Sequence, residues 1–173
     1  MKIFQILILS FFITSFTFAQ ENVFTFNKLP SVKMKTMKGL PFSSDSIVNN
    51  GKPIIISFWA TWCKPCIREL TAISDVYDEW VEDTGVKLYA VAVDDSRSMT
   101  LVAPLVNGKG WEYTVLLDPN SDFKRAMKVG PIPHTFLLDG KGKVVYQHTS
   151  FAEGDELSLI DMVRRLNRGE EIK

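Results

Sequence analysis

The apolar positions of this chain follow two rhythms, one alternating or continuous and one helical, and the rhythms take turns along the sequence. Val32 to Met37 alternates apolar and basic residues (Val32, Lys33, Met34, Lys35), which predicts a strand at an exposed edge. Gly39 with Pro41 marks a turn, and Ile47-Val48 predicts a short second strand that would complete an N-terminal β-hairpin. Asn49-Asn50-Gly51-Lys52-Pro53 is a sharper turn. Ile54-Ile55-Ile56-Ser57-Phe58-Trp59 is almost continuously apolar and rich in β-branched residues, the composition of a strand covered on both faces. From Pro65 to Val81 the spacing becomes helical, with Ile67, Leu70, Ile73, Tyr77, Trp80 and Val81 on one face.

Val86 to Val93 predicts a second buried strand. Ser96 or Ser98 would cap the next helix, over Leu101, Val102, Leu105 and Val106, which Pro104 is expected to disturb. Tyr113 to Leu117 is a third strand, and Asp118-Pro119 opens a short helix holding Phe123, Ala126 and Met127. His134 to Leu138 and Lys143 to Gln147 form a hairpin across Asp139-Gly140-Lys141-Gly142. The last helix, Asp155 to Asn167, would bury Leu157, Ile160, Val163 and Leu166. Strands alternating with helices predict an α/β sandwich: a central mixed sheet, helices on both faces, and an antiparallel closing hairpin.

The first nineteen residues stand apart, holding five of the twelve phenylalanines (Phe4, Phe11, Phe12, Phe16, Phe18). Lys2, the apolar stretch Ile3 to Phe16 and Thr17-Phe18-Ala19 together read as a secretory signal over residues 1–19. Cleavage would leave one domain over residues 20–173, exported to the periplasm or cell envelope. An uncleaved leader would act as a membrane anchor instead; its apolar stretch is near the minimum span of about 17 residues and is interrupted by Gln5, Ser10, Thr14 and Ser15.

Twenty basic residues balance twenty acidic ones, so the charge excess that nucleic-acid binding demands is missing. With 12% aromatic residues the chain is expected to fold rather than stay disordered. A monomer is expected. Two cysteines exclude a disulfide-stapled scaffold and a four-cysteine zinc site, and they place any cysteine chemistry on one pair.

That pair lies in Trp62-Cys63-Lys64-Pro65-Cys66, where a predicted strand ends and a helix begins. Free N–H groups and the positive dipole end would stabilise a thiolate at Cys63. Pro65 suits the first turn, where its missing N–H costs nothing. Cys63 is expected to be exposed and attacking, and Cys66, one turn on, to be shielded and resolving. Two other readings stand beside this one. A structural disulfide would close too small a loop to stabilise much. Half of a metal site would need further ligands, and the only histidines are His134 and His148. The strand-to-helix context is the one a redox dithiol requires.

Phe58-Trp59-Ala60-Thr61-Trp62-Cys63-Lys64-Pro65-Cys66 resembles the active-site signature of thioredoxin-fold proteins, in particular the exported TlpA- and ResA-like thiol–disulfide oxidoreductases. Ile132-Pro133-His134-Thr135-Phe136-Leu137-Leu138-Asp139 resembles the loop and strand that carry the cis-proline of that fold, and the likeness spans about residues 30 to 167. The resemblance implies a three-layer thioredoxin-like sandwich and a redox-active Cys63–Cys66 disulfide. It also implies a cis peptide at Ile132-Pro133 lying against Cys63, with the backbone of Ile132 free to pair with an extended substrate. Trp62, Lys64 and Pro65 would line the substrate side.

Thioredoxins carry a buried aspartate where this chain has Ser57, which cannot act as a base. The ResA-like members carry a glutamate three residues after the second cysteine, here Glu69. The resemblance implies that Glu69 exchanges protons with Cys66; the plainer reading is an exposed glutamate paired with Arg68 or Lys64. His134 is expected to satisfy a hydrogen bond at a strand start and His148 to be a surface strand residue. Trp59, Trp80 and Trp111 are expected in the core.

The function implied is reduction of protein disulfides by dithiol–disulfide exchange, without cofactor or metal. The partners would be a disulfide-bearing substrate protein and an upstream, membrane-bound thiol donor. Alternatives are an oxidant or isomerase of the same fold, or a Cu(I)-binding metallochaperone built on two thiolates and a histidine. A peroxidase is disfavoured because Ala60 stands where peroxiredoxins carry threonine, three residues before the reactive cysteine.

Overall fold

A computed structural model describes residues 26–172, and the leader expected over residues 1–19 lies outside them. Seven strands are joined edge to edge: β1 (Lys33–Thr36), β2 (Pro41–Ser43), β3 (Ile54–Trp59), β4 (Lys87–Ala92), β5 (Thr114–Leu117), β6 (His134–Leu138) and β7 (Val144–Thr149). The helices are α1 (Lys64–Ser74), α2 (Tyr77–Thr84), α3 (Val102–Lys109), α4 (Asp122–Ala126) and α5 (Asp155–Asn167). The sheet order is β2-β1-β5-β4-β3-β6-β7. β3, β4 and β5 run parallel, while β1, β2, β6 and β7 pair antiparallel with their neighbours. This is the mixed sheet that the alternation of elements predicts.

All six residues of β3 are buried, so both of its faces are covered. Phe58 meets Phe123 of α4, with ring centroids 5.4 Å apart. On the opposite face, Ser57 lies below α1, whose Glu69 reaches Thr135 in the neighbouring strand. The strand therefore reads as a continuous apolar run because neither face meets water.

Six local expectations are corrected. The second strand is Pro41–Ser43, not Ile47-Val48. The Ser44 hydroxyl donates to Pro30 O and accepts from the Val32 N–H, turning the chain into a 3-10 turn before Ile47 can pair. Nor is β1 the edge: β2 and β5 flank it, and its alternation records one wetted face rather than an open side. The long helix breaks between Ser74 and Tyr77, where Val76 leaves helical geometry, and Val81 then points outward while Trp80 and Thr84 are buried. In α5 the buried set is Leu159, Ile160 and Val163, with Leu157 exposed. Pro104 leaves α3 intact because it falls in the first turn, where no N–H is used within the helix. Ser96 and Ser98 make no cap for α3; Asp95 instead accepts the Arg97 and Ser98 N–H groups.

Candidate active site

The candidate site grows out of the end of β3. Thr61 follows the strand, and both its N–H and its hydroxyl donate to the fully buried Asp94 carboxylate at the end of β4. The carboxylate sits beside a parallel partner strand and fixes the turn immediately before the cysteines. Sequence reasoning missed this residue; an acid closing an apolar strand was the available signal. Cys63 N–H then donates to Ala60 O at 3.0 Å, and Cys63 becomes the N-cap of α1. Its Sγ accepts the Cys66 N–H at 3.3 Å.

Cys63 and Cys66 are joined by a disulfide, with Cα atoms 5.3 Å apart. Cys66 is 0% exposed, as expected, but Cys63 is only 5% exposed rather than an open surface residue. The reason is the loop before β6. The Ile132 carbonyl oxygen lies 3.7 Å from Cys63 Sγ, and the Ile132-Pro133 peptide is cis. Ile132 is half-buried and Pro133 buried. Around this covered pair, Trp62 is 66% exposed, Lys64 is exposed and Pro65 is half-buried in the first turn of α1. Trp59 packs on Trp111 in the core, with centroids 5.1 Å apart, and Trp80 is buried, all as expected.

Glu69 lies on α1 one turn beyond Cys66, and it is buried, not an exposed partner of Arg68 or Lys64. Its Oε1 lies 2.8 Å from Thr135 Oγ1 and 2.9 Å from His148 Nε2. Thr135 Oγ1 is also 2.9 Å from Ser57 Oγ, and its single proton serves one of these two neighbours at a time. The other carboxylate oxygen, Oε2, is buried and has no protein partner. His148 is thus half-buried rather than the plain surface residue expected. Its register explains why: Ser57, Thr135 and His148 stand directly opposite one another across β3, β6 and β7, on the face that α1 covers. The signal in the sequence was three polar residues in strands that are otherwise apolar on that face.

His134 occupies the other face, next to Phe58 in register and stacked on Phe136 at 4.4 Å. Its Nε2 pairs with Gln147 Oε1 at 3.2 Å, satisfying the hydrogen bond expected of it. Burial lowers its proton affinity, the Gln147 contact opposes that, and the charge of His148 adds to the lowering. Among the described residues, no three histidine, cysteine, aspartate or glutamate side chains converge as a metal-binding group.

Residues 26–147 match the AhpC/TSA family. The chain is 36% identical over 97 residues to the thiol-disulfide oxidoreductase ResA of Bacillus anthracis, covering 56% of this chain and 54% of the relative. It is 35% identical over 95 residues to ResA of Bacillus subtilis (strain 168), covering 55% and 51%. The matched part therefore spans about half the length of these relatives. Among solved structures, an uncharacterized thioredoxin-like protein of Porphyromonas gingivalis is 51% identical, with a TM-score of 0.73 over 83% of this chain and 94% of that one. StoA of Bacillus subtilis is 27% identical, with a TM-score of 0.61 over 77% and 97%.

Proposed function

Because this chain belongs to the AhpC/TSA family, we propose that its Cys63–Cys66 pair makes it a thiol–disulfide oxidoreductase that reduces protein disulfides. The observation that carries the reading is the placement of Cys63. Its sulfur caps α1 and accepts the Cys66 N–H, so a thiolate formed there on reduction meets a donor and a positive dipole end. An inert disulfide has no use for such a site.

In the reaction, the Cys63 thiolate attacks one sulfur of the client disulfide, forming a mixed disulfide and releasing the other client sulfur as a thiolate, which takes a proton from water. Cys66 loses its proton and attacks Cys63 Sγ, and the second client sulfur leaves and is protonated. The client gains two electrons and two protons, and the enzyme ends in the Cys63–Cys66 disulfide. Glu69, one turn from Cys66, takes the Cys66 proton. The backbone of Ile132, held beside Cys63 Sγ with Pro133, aligns an extended client segment, and Trp62, Lys64 and Pro65 frame the approach. A thiol donor restores the dithiol. The signal-like residues 1–19 support a place outside the cytoplasm, in the periplasm or cell envelope, where that donor would be membrane-bound and the protein a monomer.

Insulin reduction in the presence of dithiothreitol tests the reading. Turnover is expected for the natural chain and is expected to be abolished in Cys63→Ser, while Cys66→Ser accumulates the mixed disulfide. A reduction potential above about −150 mV would make the protein an oxidant instead. Tight stoichiometric Cu(I) binding, or consumption of hydrogen peroxide, without insulin reduction would replace the reading altogether.

A further inference from the structure

Glu69 Oε1 has two protein neighbours and Oε2 has none, an unequal division for a carboxylate that is almost wholly buried. A buried polar atom without a partner costs on the order of 1–3 kcal/mol, so an arrangement that keeps one needs a reason. Here the arrangement is built by the sheet. Ser57, Thr135 and His148 form one cross-strand row, and the last two fix Oε1 from two adjacent strands. Residues three apart on a helix are neighbours, so Glu69 lies next to Cys66 along α1, and Oε2 is the carboxylate oxygen that the sheet leaves unengaged. His148 is also less buried than the carboxylate it holds: its side chain is 16% exposed against 2% for that of Glu69, so its ring reaches from the buried carboxylate toward the surface.

We propose that His148 is a positioning residue for disulfide exchange: with Thr135 it pins Glu69 Oε1, reserves Oε2 for the proton of reduced Cys66, and links that carboxylate to solvent. The inference rests on the exchange reading and assigns a regulator of its resolving step. In that step the proton of Cys66 passes to Glu69, the Cys66 sulfur bonds to Cys63 Sγ, and the client thiolate leaves. The proton then returns to water past His148.

Other titratable groups face this row and bear on any pH dependence. Tyr113 donates its hydroxyl to Leu70 O on α1 and is held protonated by burial and by the charge of Glu69. Tyr146, on β7, packs against His148 with centroids 5.7 Å apart; burial, then Asp155 of α5, then Glu69 raise its affinity for its proton. Both tyrosines therefore stay neutral through the range in which a thiol titrates. His134 is on the opposite face.

The test is made on reduced Cys63→Ser protein, where thiolate absorbance near 240 nm reports Cys66 alone, with Cys63→Ser/Cys66→Ser as the blank. A donor at Oε1 favours the ionised carboxylate, and a negative charge beside Cys66 opposes a second one. His148→Phe removes that donor and is expected to move the Cys66 thiolate midpoint down by about one pH unit, the lower end of what a close charge does. His148→Gln keeps an N–H at the same place and is expected to restore the natural midpoint. An unmoved midpoint in folded His148→Phe, or a Gln variant as displaced as the Phe one, would overturn the inference. These readings need no client, so failure of the natural chain to reduce insulin would count against the exchange reading and leave the midpoint result to judge His148.

Discussion

At the scale of single residues, the imidazole of His134 is stored in its neutral form. It is stacked on Phe136 and buried, and burial is the leading cause of its lowered proton affinity, ahead of the opposing contact with Gln147. The unfolded chain takes up a proton at this residue near the ordinary value of 6.5, and the folded chain only at lower pH. Between those two points the unfolded state binds more protons, so stability rises with pH across the window. The contribution is complete above about pH 6.5 and is lost as pH falls toward the folded value. Thermal unfolding followed from pH 7.5 to 5 should therefore show a falling Tm. In His134→Gln, which keeps a polar partner for Gln147, the fall should be shallower. The same slope in both proteins would assign the acid sensitivity to other groups.

At the scale of elements, two turns meet at backbone distance. A Cβ placed on Gly140 would lie 1.9 Å from the carbonyl oxygen of Gly51, so the β6–β7 turn sits directly against the turn that leads into β3. Gly140→Ala forces one turn away from the other, and overpacking of this kind costs about 1–3 kcal/mol. For a chain of this size that corresponds to a fall in Tm of roughly 2–12 °C. Gly108, inside α3 with no atom within 4 Å of its added Cβ, is the contrast, and Gly108→Ala should hold or raise Tm. Equal losses at the two sites would mean that the contact between the turns is not tight. Neither turn's position could be read from the sequence, because Asn49 to Pro53 and Asp139 to Gly142 are each recognisable turns whose meeting is set by the sheet register. The same limit explains the other corrections. Periodicity reports which face of a strand is wet, so β1 was legible as a strand although its neighbours were not. It is also blind to a two-residue break when the apolar spacing continues across it, as between Ile73 and Tyr77. For the site, Cys63 and Cys66 were legible because helix capping is local, whereas Glu69 was legible only through the family resemblance, since helix spacing alone left it an exposed surface residue. His148 is 79 residues from Glu69, and only the pairing of β3, β6 and β7 brings it there.

At the scale of the molecule, the disulfide and the core divide the work of function and stability. The bridge spans a sequence separation of three, and a loop so short removes little freedom from the unfolded chain: about 2 kcal/mol by the chain-entropy relation, against about 3 for a 15-residue loop. The buried cluster, by contrast, draws on every strand of the sheet except β2, from Met34 in β1 to Val144 in β7, and on all five helices. Its tilted and edge-to-face ring clusters, Phe58, Phe123 and Phe136 on one face and Trp59, Trp111 and Tyr113 on the other, owe nothing to the sulfurs. A molecule built this way can be reduced and reoxidised repeatedly without unfolding, which a dithiol that exchanges electrons with a protein client requires. Reduction of Cys63–Cys66 should accordingly lower Tm by less than about 8 °C, taking about 2–4 °C per kcal/mol for a domain of this size. Near-ultraviolet circular dichroism should keep the signature of the packed tryptophans in both states. A loss of more than 15 °C on reduction, or a collapse of that signature, would identify the bridge as a structural staple and remove the thermodynamic basis for reading it as a working pair.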